Sequence, residues 1–77
     1  MTSTAEKIME LFQRDRKMKA GMVIPFSQIS VSGKQWGESH VTKLDGAMEE
    51  LRDEGYIIIT PSRGLELTEE GYNLLVK

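Results

Sequence analysis

The stretch Leu51-Arg52-Asp53-Glu54-Gly55-Tyr56-Ile57-Ile58-Ile59-Thr60-Pro61-Ser62-Arg63-Gly64-Leu65-Glu66-Leu67-Thr68-Glu69-Glu70-Gly71 decides how this chain is read. It opens on the end of a helix, because Gly55 supplies the left-handed stop that helices favour just past their last turn. Tyr56 to Thr60 is a run of β-branched and aromatic residues and is the best strand in the chain. Pro61-Ser62-Arg63-Gly64 makes a tight turn, and Leu65-Glu66-Leu67 returns as a short alternating strand. Thr68 then caps a last helix, Glu69 to about Val76, with Glu69 and Glu70 in the first turn where the helix dipole favours carboxylates. Helix end, strand, turn, strand and helix follow within these residues.

Upstream, the helix that Gly55 ends runs from about Ser39 to Glu54. Val41, Leu44, Ala47, Met48 and Leu51 lie on it as one apolar stripe. At the other end of the chain, Ser3 and Glu6 form an S-x-x-E capping box, in which each side chain can satisfy a free N–H at a helix start. Ala5, Ile8, Met9 and Phe12 follow at helical spacing, cations gather toward the far end (Arg14, Arg16, Lys17), and Gly21 ends the segment. Met22-Val23-Ile24 is too short for a helix and fits a brief strand. Pro25 opens a short helix to about Ser30, with Phe26 and Ile29 facing inward. Ser30 to Gly37, with two glycines four apart and no periodicity, reads as a loop. The expected order is helix, short strand, helix, loop, long helix, strand, turn, strand, helix.

Composition narrows the class. The chain has 77 residues, no cysteine, 39% hydrophobic and 29% charged residues, values that suit one small globular domain spanning 1–77. The lack of cysteine removes disulfides and thiolate metal sites. The apolar runs are far too short for a membrane span, and the N-terminal residues lack the basic flank and apolar block of a signal peptide. The expected location is therefore cytoplasmic, without membrane attachment. No nucleophile-and-base constellation and no phosphate-cradling glycine loop is present, so no enzyme is expected and no cofactor is implied. His40 is the single histidine, and without cysteine or a second histidine it makes no metal site.

The net charge of -2, from 10 Lys+Arg and 12 Asp+Glu, hides an asymmetry. Residues 1–43 carry +3 and residues 44–77 carry -5. Charges act over roughly a Debye length of 8–10 Å, so a mildly acidic chain can still present one basic face.

Three helices and a small ribbon pack most simply as a trihelical core with the hairpin across one edge, an α+β arrangement. With its helix ending L-x-x-x-G-Y-I over Leu51–Ile57, its ribbon, and its L-T-x-x-G over Leu67–Gly71, the chain resembles the winged helix-turn-helix DNA-binding domains of small bacterial, archaeal and phage regulators. The resemblance implies a winged helix: a three-helix core, a short two- to three-stranded β-wing and a closing C-terminal helix. It also implies sequence-specific binding of double-stranded DNA by a transcriptional regulator, with a recognition helix of about 39–54 in the major groove. The wing, about 57–67, would lie on the backbone or in the minor groove.

Under this reading Lys34, Lys43 and Arg63 meet phosphates, Gln35 and Ser62 assist beside them, and Ser39, His40 and Thr42 read bases. Carboxylates gather in the second half of the long helix (Glu49, Glu50, Asp53, Glu54), although Glu38 and Asp45 lie at its DNA-facing end. Three phosphate cations bind weakly at physiological salt, so a homodimer on two half-sites is expected. Its surface would come from Tyr72, Leu74, Leu75 and Val76 with the exposed part of the first helix. Gly46 reads either as close packing against helix one or two, or as close approach to a DNA backbone. Trp36 reads either as a lid over the core edge or as an exposed anchor for a protein partner. The competing function is accordingly a protein-interaction module using Trp36 and the acidic face, and an RNA-binding winged helix is a third.

Overall fold

The computed structural model describes residues 1–76 and has five helices and a three-stranded antiparallel sheet: α1 (Ser3–Gln13), β1 (Val23–Ile24), α2 (Phe26–Trp36), α3 (Glu38–Val41), α4 (Leu44–Asp53), β2 (Ile57–Thr60), β3 (Gly64–Leu67) and α5 (Glu69–Val76). The α+β class anticipated above is the one observed. The helix α1 carries the expected stripe, with Ala5, Ile8, Met9 and Phe12 all buried. Its cap differs from the capping box: Thr2 is the N-cap, and its Oγ1 accepts from Ala5 N at 3.3 Å. Ser3 is already helical, because burying Thr4 together with Ala5 sets where the helix begins. The C-terminal end also comes early. After Gln13 the chain turns irregularly to Gly21, so Arg16 and Lys17 lie beyond the helix and not in its last turn.

The stretch expected to be a loop is mostly helix. The α2 helix continues through Ser30–Trp36, because Ile29, Gly33 and Trp36 recur at helical spacing on its inner side. Gly33 is buried there, and a Cβ at this position would stand 2.8 Å from Leu44 Cδ1, so its small size lets α2 approach α4. Gly37 ends the helix with φ +118°, a backbone conformation that permits the sharp reversal into α3.

The expected helix over 39–54 is broken. After α3, Thr42 and Lys43 form a turn in which Thr42 Oγ1 donates to Ser39 O (3.2 Å) and Lys43 N donates to His40 O (3.0 Å). A threonine hydroxyl that takes a nearby carbonyl competes with the helical ladder. The break re-aims the chain so that Leu44, Ala47 and Leu51 enter the core, while Val41, expected in the same stripe, is 38% exposed.

The sheet order is β1-β3-β2, with β3 paired to both neighbours. Ile57, Leu65 and Leu67 face the core, whereas Ile58 pairs with Glu66 on the other face. The turn between β2 and β3 is one residue shorter than the expected Pro61-Ser62-Arg63-Gly64, because Gly64 pairs with Thr60 and already belongs to β3; Thr60 Oγ1 donates to Gly64 O and accepts from Gly64 N, both at 2.7 Å. Gly64 has φ +138°, and a Cβ there would overlap the Ile24 carbonyl. Thr68 caps α5 as expected, accepting from Gly71 N at 3.0 Å while donating to Gly55 O at 2.6 Å. Within α5, Tyr72 and Leu75 pack half-buried against the core, and Val76 is 52% exposed.

Two substitutions test this account. Gly64→Ala is expected to lower the unfolding free energy by at least about 2 kcal/mol, through backbone strain and displacement of β1. Thr68→Ala is expected to cost about 1–2 kcal/mol through the lost cap. Urea denaturation followed by circular dichroism measures both.

Candidate nucleic-acid interface

The residues singled out in the sequence fall in two places. Lys34 and Gln35 lie in the last turn of α2, Ser39 and His40 in α3, and Thr42 and Lys43 in the turn before α4. These six occupy one corner of the chain, where α2 hands over to α3 and α4. Ser62 and Arg63 lie apart from them in sequence, at the turn between β2 and β3. All are exposed except His40. The ion pairs among the described residues join Arg52 to Asp53 and the terminal amine to Glu50, leaving Lys34, Lys43 and Arg63 without a carboxylate within bridging distance.

His40 is held differently. Its Nδ1 lies 2.9 Å from Thr4 Oγ1, and Thr4 is buried at the start of α1. The imidazole also stands edge-on to the Trp36 ring, with centroids 6.2 Å apart and planes at 80°. Lys7 Nζ lies over the Trp36 ring, 5.8 Å from its centroid, within cation–π range. Trp36 is half-buried and packs against the core, which is the lid position rather than that of a free anchor. His40 thus ties α3 to α1. Nothing in the sequence marked Thr4 or Lys7 for this cluster, since both sit on α1, far away along the chain.

The α4 helix gives the acidic residues a common direction. Asp45, Glu49 and Asp53 are four residues apart, so they share one side of the helix, and all three are exposed. The carboxylates run the length of α4, with Asp45 at its start as the sequence indicated. Glu38, in the first turn of α3, is exposed as well. Gly46 lies among these residues with nothing within 4 Å of a Cβ built on it, which overturns close packing against another helix. It lines instead an open groove of about 410 Å³ with Thr2, Thr42, Lys43, Ala47 and Glu50. Glu50 turns to the N-terminal end of α1, accepting from Thr2 N at 3.1 Å.

Chemically, the corner offers two cations, an amide and two hydroxyls to an anionic or hydrogen-bonding partner, while the adjoining face of α4 repels anions. Among the described residues, no helix is long and apolar enough to cross a membrane. Compared with known proteins, the chain matches no family model, no curated protein and no solved structure.

Replacing Gly46 by alanine is expected to raise stability by about 0.5–1 kcal/mol, the helix-propensity difference, because the added methyl meets open space. His40→Ala is expected to lower it by about 1–2 kcal/mol by leaving the buried Thr4 hydroxyl without its partner. Urea midpoints of the two variants against the parent check both signs.

Proposed function

We propose that this chain is a winged helix-turn-helix domain that binds double-stranded DNA as a small transcriptional regulator. Support for the fold is the order of elements together with the β1-β3-β2 sheet, which leaves β2, β3 and their turn as the wing and α5 as the closing helix. For DNA, the supporting observation is the corner where α2 meets α3 and α4: Lys34, Gln35, Ser39, Thr42 and Lys43 are all exposed there, and among the described residues neither lysine has a carboxylate within bridging distance. In this reading α3 and the turn after it enter the major groove. Lys34 and Lys43 neutralise phosphates, Gln35 assists them, and Ser39 and Thr42 present hydroxyls to base edges. His40 acts through position, holding α3 against Thr4 and Trp36, and offers the groove only the remaining edge of its ring. Arg63 and Ser62 on the wing reach the backbone or minor groove.

The acidic stripe limits how the duplex can lie. Asp45, Glu49 and Asp53 must face away from phosphates, so contact is confined to the N-terminal corner and the wing, and the body of α4 stays out of the groove. Few phosphate contacts then make the affinity of one copy low, and pairing of copies on two half-sites raises it.

One observation favours a second reading. The same stripe, with open space above Gly46, is a surface suited to a basic protein partner, so the fold would serve as an interaction module.

Titrating random duplex DNA at increasing salt separates the two readings. DNA binding predicts measurable affinity at low salt that falls as salt rises, with Lys43→Ala and Arg63→Ala each reducing the slope of log K against log salt by about one. Absence of binding at low salt, or slopes unchanged in both variants, rejects the DNA reading in favour of the interaction module.

A further inference from the structure

The segment between α1 and β1 carries a second concentration of charge that the DNA reading does not use. Arg14, Arg16, Lys17 and Lys19 are all exposed. The one carboxylate among them, Asp15, is exposed as well and its Oδ1 accepts from Lys17 N at 2.8 Å, so the loop carries a net charge of +3. None of the four cations lies within bridging distance of a carboxylate among the described residues. This loop follows the end of α1 and leads to Gly21, whose N–H donates to Leu67 O at 2.7 Å. It therefore sits at the C-terminal end of β3, whereas the wing turn lies at the N-terminal end of that strand.

Elsewhere on the molecule, the outward side of α4 offers the opposite charge in a regular array. Among the described residues, Asp45 and Glu49 have no cation within bridging distance, and Asp53 pairs with the exposed Arg52 beside it. Gly46 breaks the wall of side chains on that side and leaves room for an approaching chain. One molecule thus presents a basic loop and an acidic helix face that do not neutralise each other.

We propose that the basic loop of one copy docks on the acidic face of α4 in a second copy. The occupant follows from charge complementarity: four cations and the single Asp15 within six residues meet three carboxylates spaced one helical turn apart, and among the described residues the ion pair made by either set is that of Asp53 with Arg52. Donor and acceptor are different surfaces, so the contact is heterologous and runs head to tail, in contrast to a two-fold pairing of the α1 and α5 surfaces. Each copy keeps a free loop at one end and a free helix face at the other. The association stands independently of DNA binding. Where the DNA reading holds, it masks the carboxylates that repel the duplex.

The test uses the full chain without DNA. Sedimentation velocity at several protein concentrations is run at about 20 mM and about 500 mM salt, which bracket weak and strong screening. The expected result is a concentration-dependent rise in sedimentation coefficient at low salt, and monomer at high salt. Two charge-reversed chains are then compared, Arg16→Glu with Lys17→Glu, and Glu49→Lys with Asp53→Lys, after circular dichroism melts show that each is folded. Each alone is expected to weaken low-salt association more than tenfold. Mixed in equal amounts they are expected to associate again, because the second chain's native loop fits the first chain's native helix face and the two reversed surfaces are complementary to each other. A parent chain that stays monomeric at low salt overturns the proposal. So does association that either reversal leaves unchanged, or a mixture that fails to pair. A DNA titration of the parent chain is read separately, so loss of head-to-tail pairing and loss of DNA binding are distinguishable.

Discussion

The Thr68 side chain joins the three parts of the molecule that must be held in register. Its hydroxyl donates to Gly55 O at the end of α4 and accepts from Gly71 N in the first turn of α5, while its own N–H donates to Tyr56 O at the start of β2. Tyr56 N in turn donates to Leu51 O, closing the last turn of α4. One residue therefore satisfies backbone groups that two helix ends would otherwise leave without partners. The angle between α4 and the ribbon follows from this junction, and with it the position of the β2–β3 turn relative to the corner bearing Lys43. At the far end of the ribbon, Gly64 performs the corresponding task by letting β3 come close to the Ile24 carbonyl.

Charge and packing act against each other in the segment 38–54. Packing requires Leu44, Ala47 and Leu51 against the core, and that rotation fixes Asp45, Glu49 and Asp53 on the outside. A continuous helix from Ser39 would have placed Val41 on the same inner stripe. The turn at Thr42–Lys43 releases it, and α3 is oriented by the contact of His40 with Thr4 and Trp36. A polar and cationic corner thereby comes to stand directly beside an acidic helix face. Any anionic partner must approach at an angle that separates the two, and any basic partner finds an uninterrupted row of carboxylates.

Local signals carried much of this architecture. The glycine after α4, the β-branched run of β2 and the threonine before α5 each have a short-range physical cause and lie where the sequence places them, and the turn opened by Pro61 differs only in giving Gly64 to β3. The apolar stripe of α1 is legible for the same reason. The α2 helix is different: its glycine and serines argue locally for a loop, and helix forms because Gly33 gains a close approach to Leu44 from elsewhere in the chain. Exposure of the corner residues was also legible in part, since lysine, glutamine and serine at helix ends are ordinarily solvated.

By itself, then, the sequence determined the class, the succession of elements around residues 51–71, and the separation of a cationic first half from an acidic second half. Those features depend on neighbours along the chain: caps, turn residues, and apolar periodicity. Only the tertiary structure decided that the long helix breaks at Thr42–Lys43, that His40 turns to Thr4 instead of standing with Ser39 and Lys43, and that Gly46 packs against nothing. Each of these outcomes depends on which face of a helix meets a partner distant in sequence, and a residue such as Thr4 carries no mark of the histidine it will meet 36 positions later.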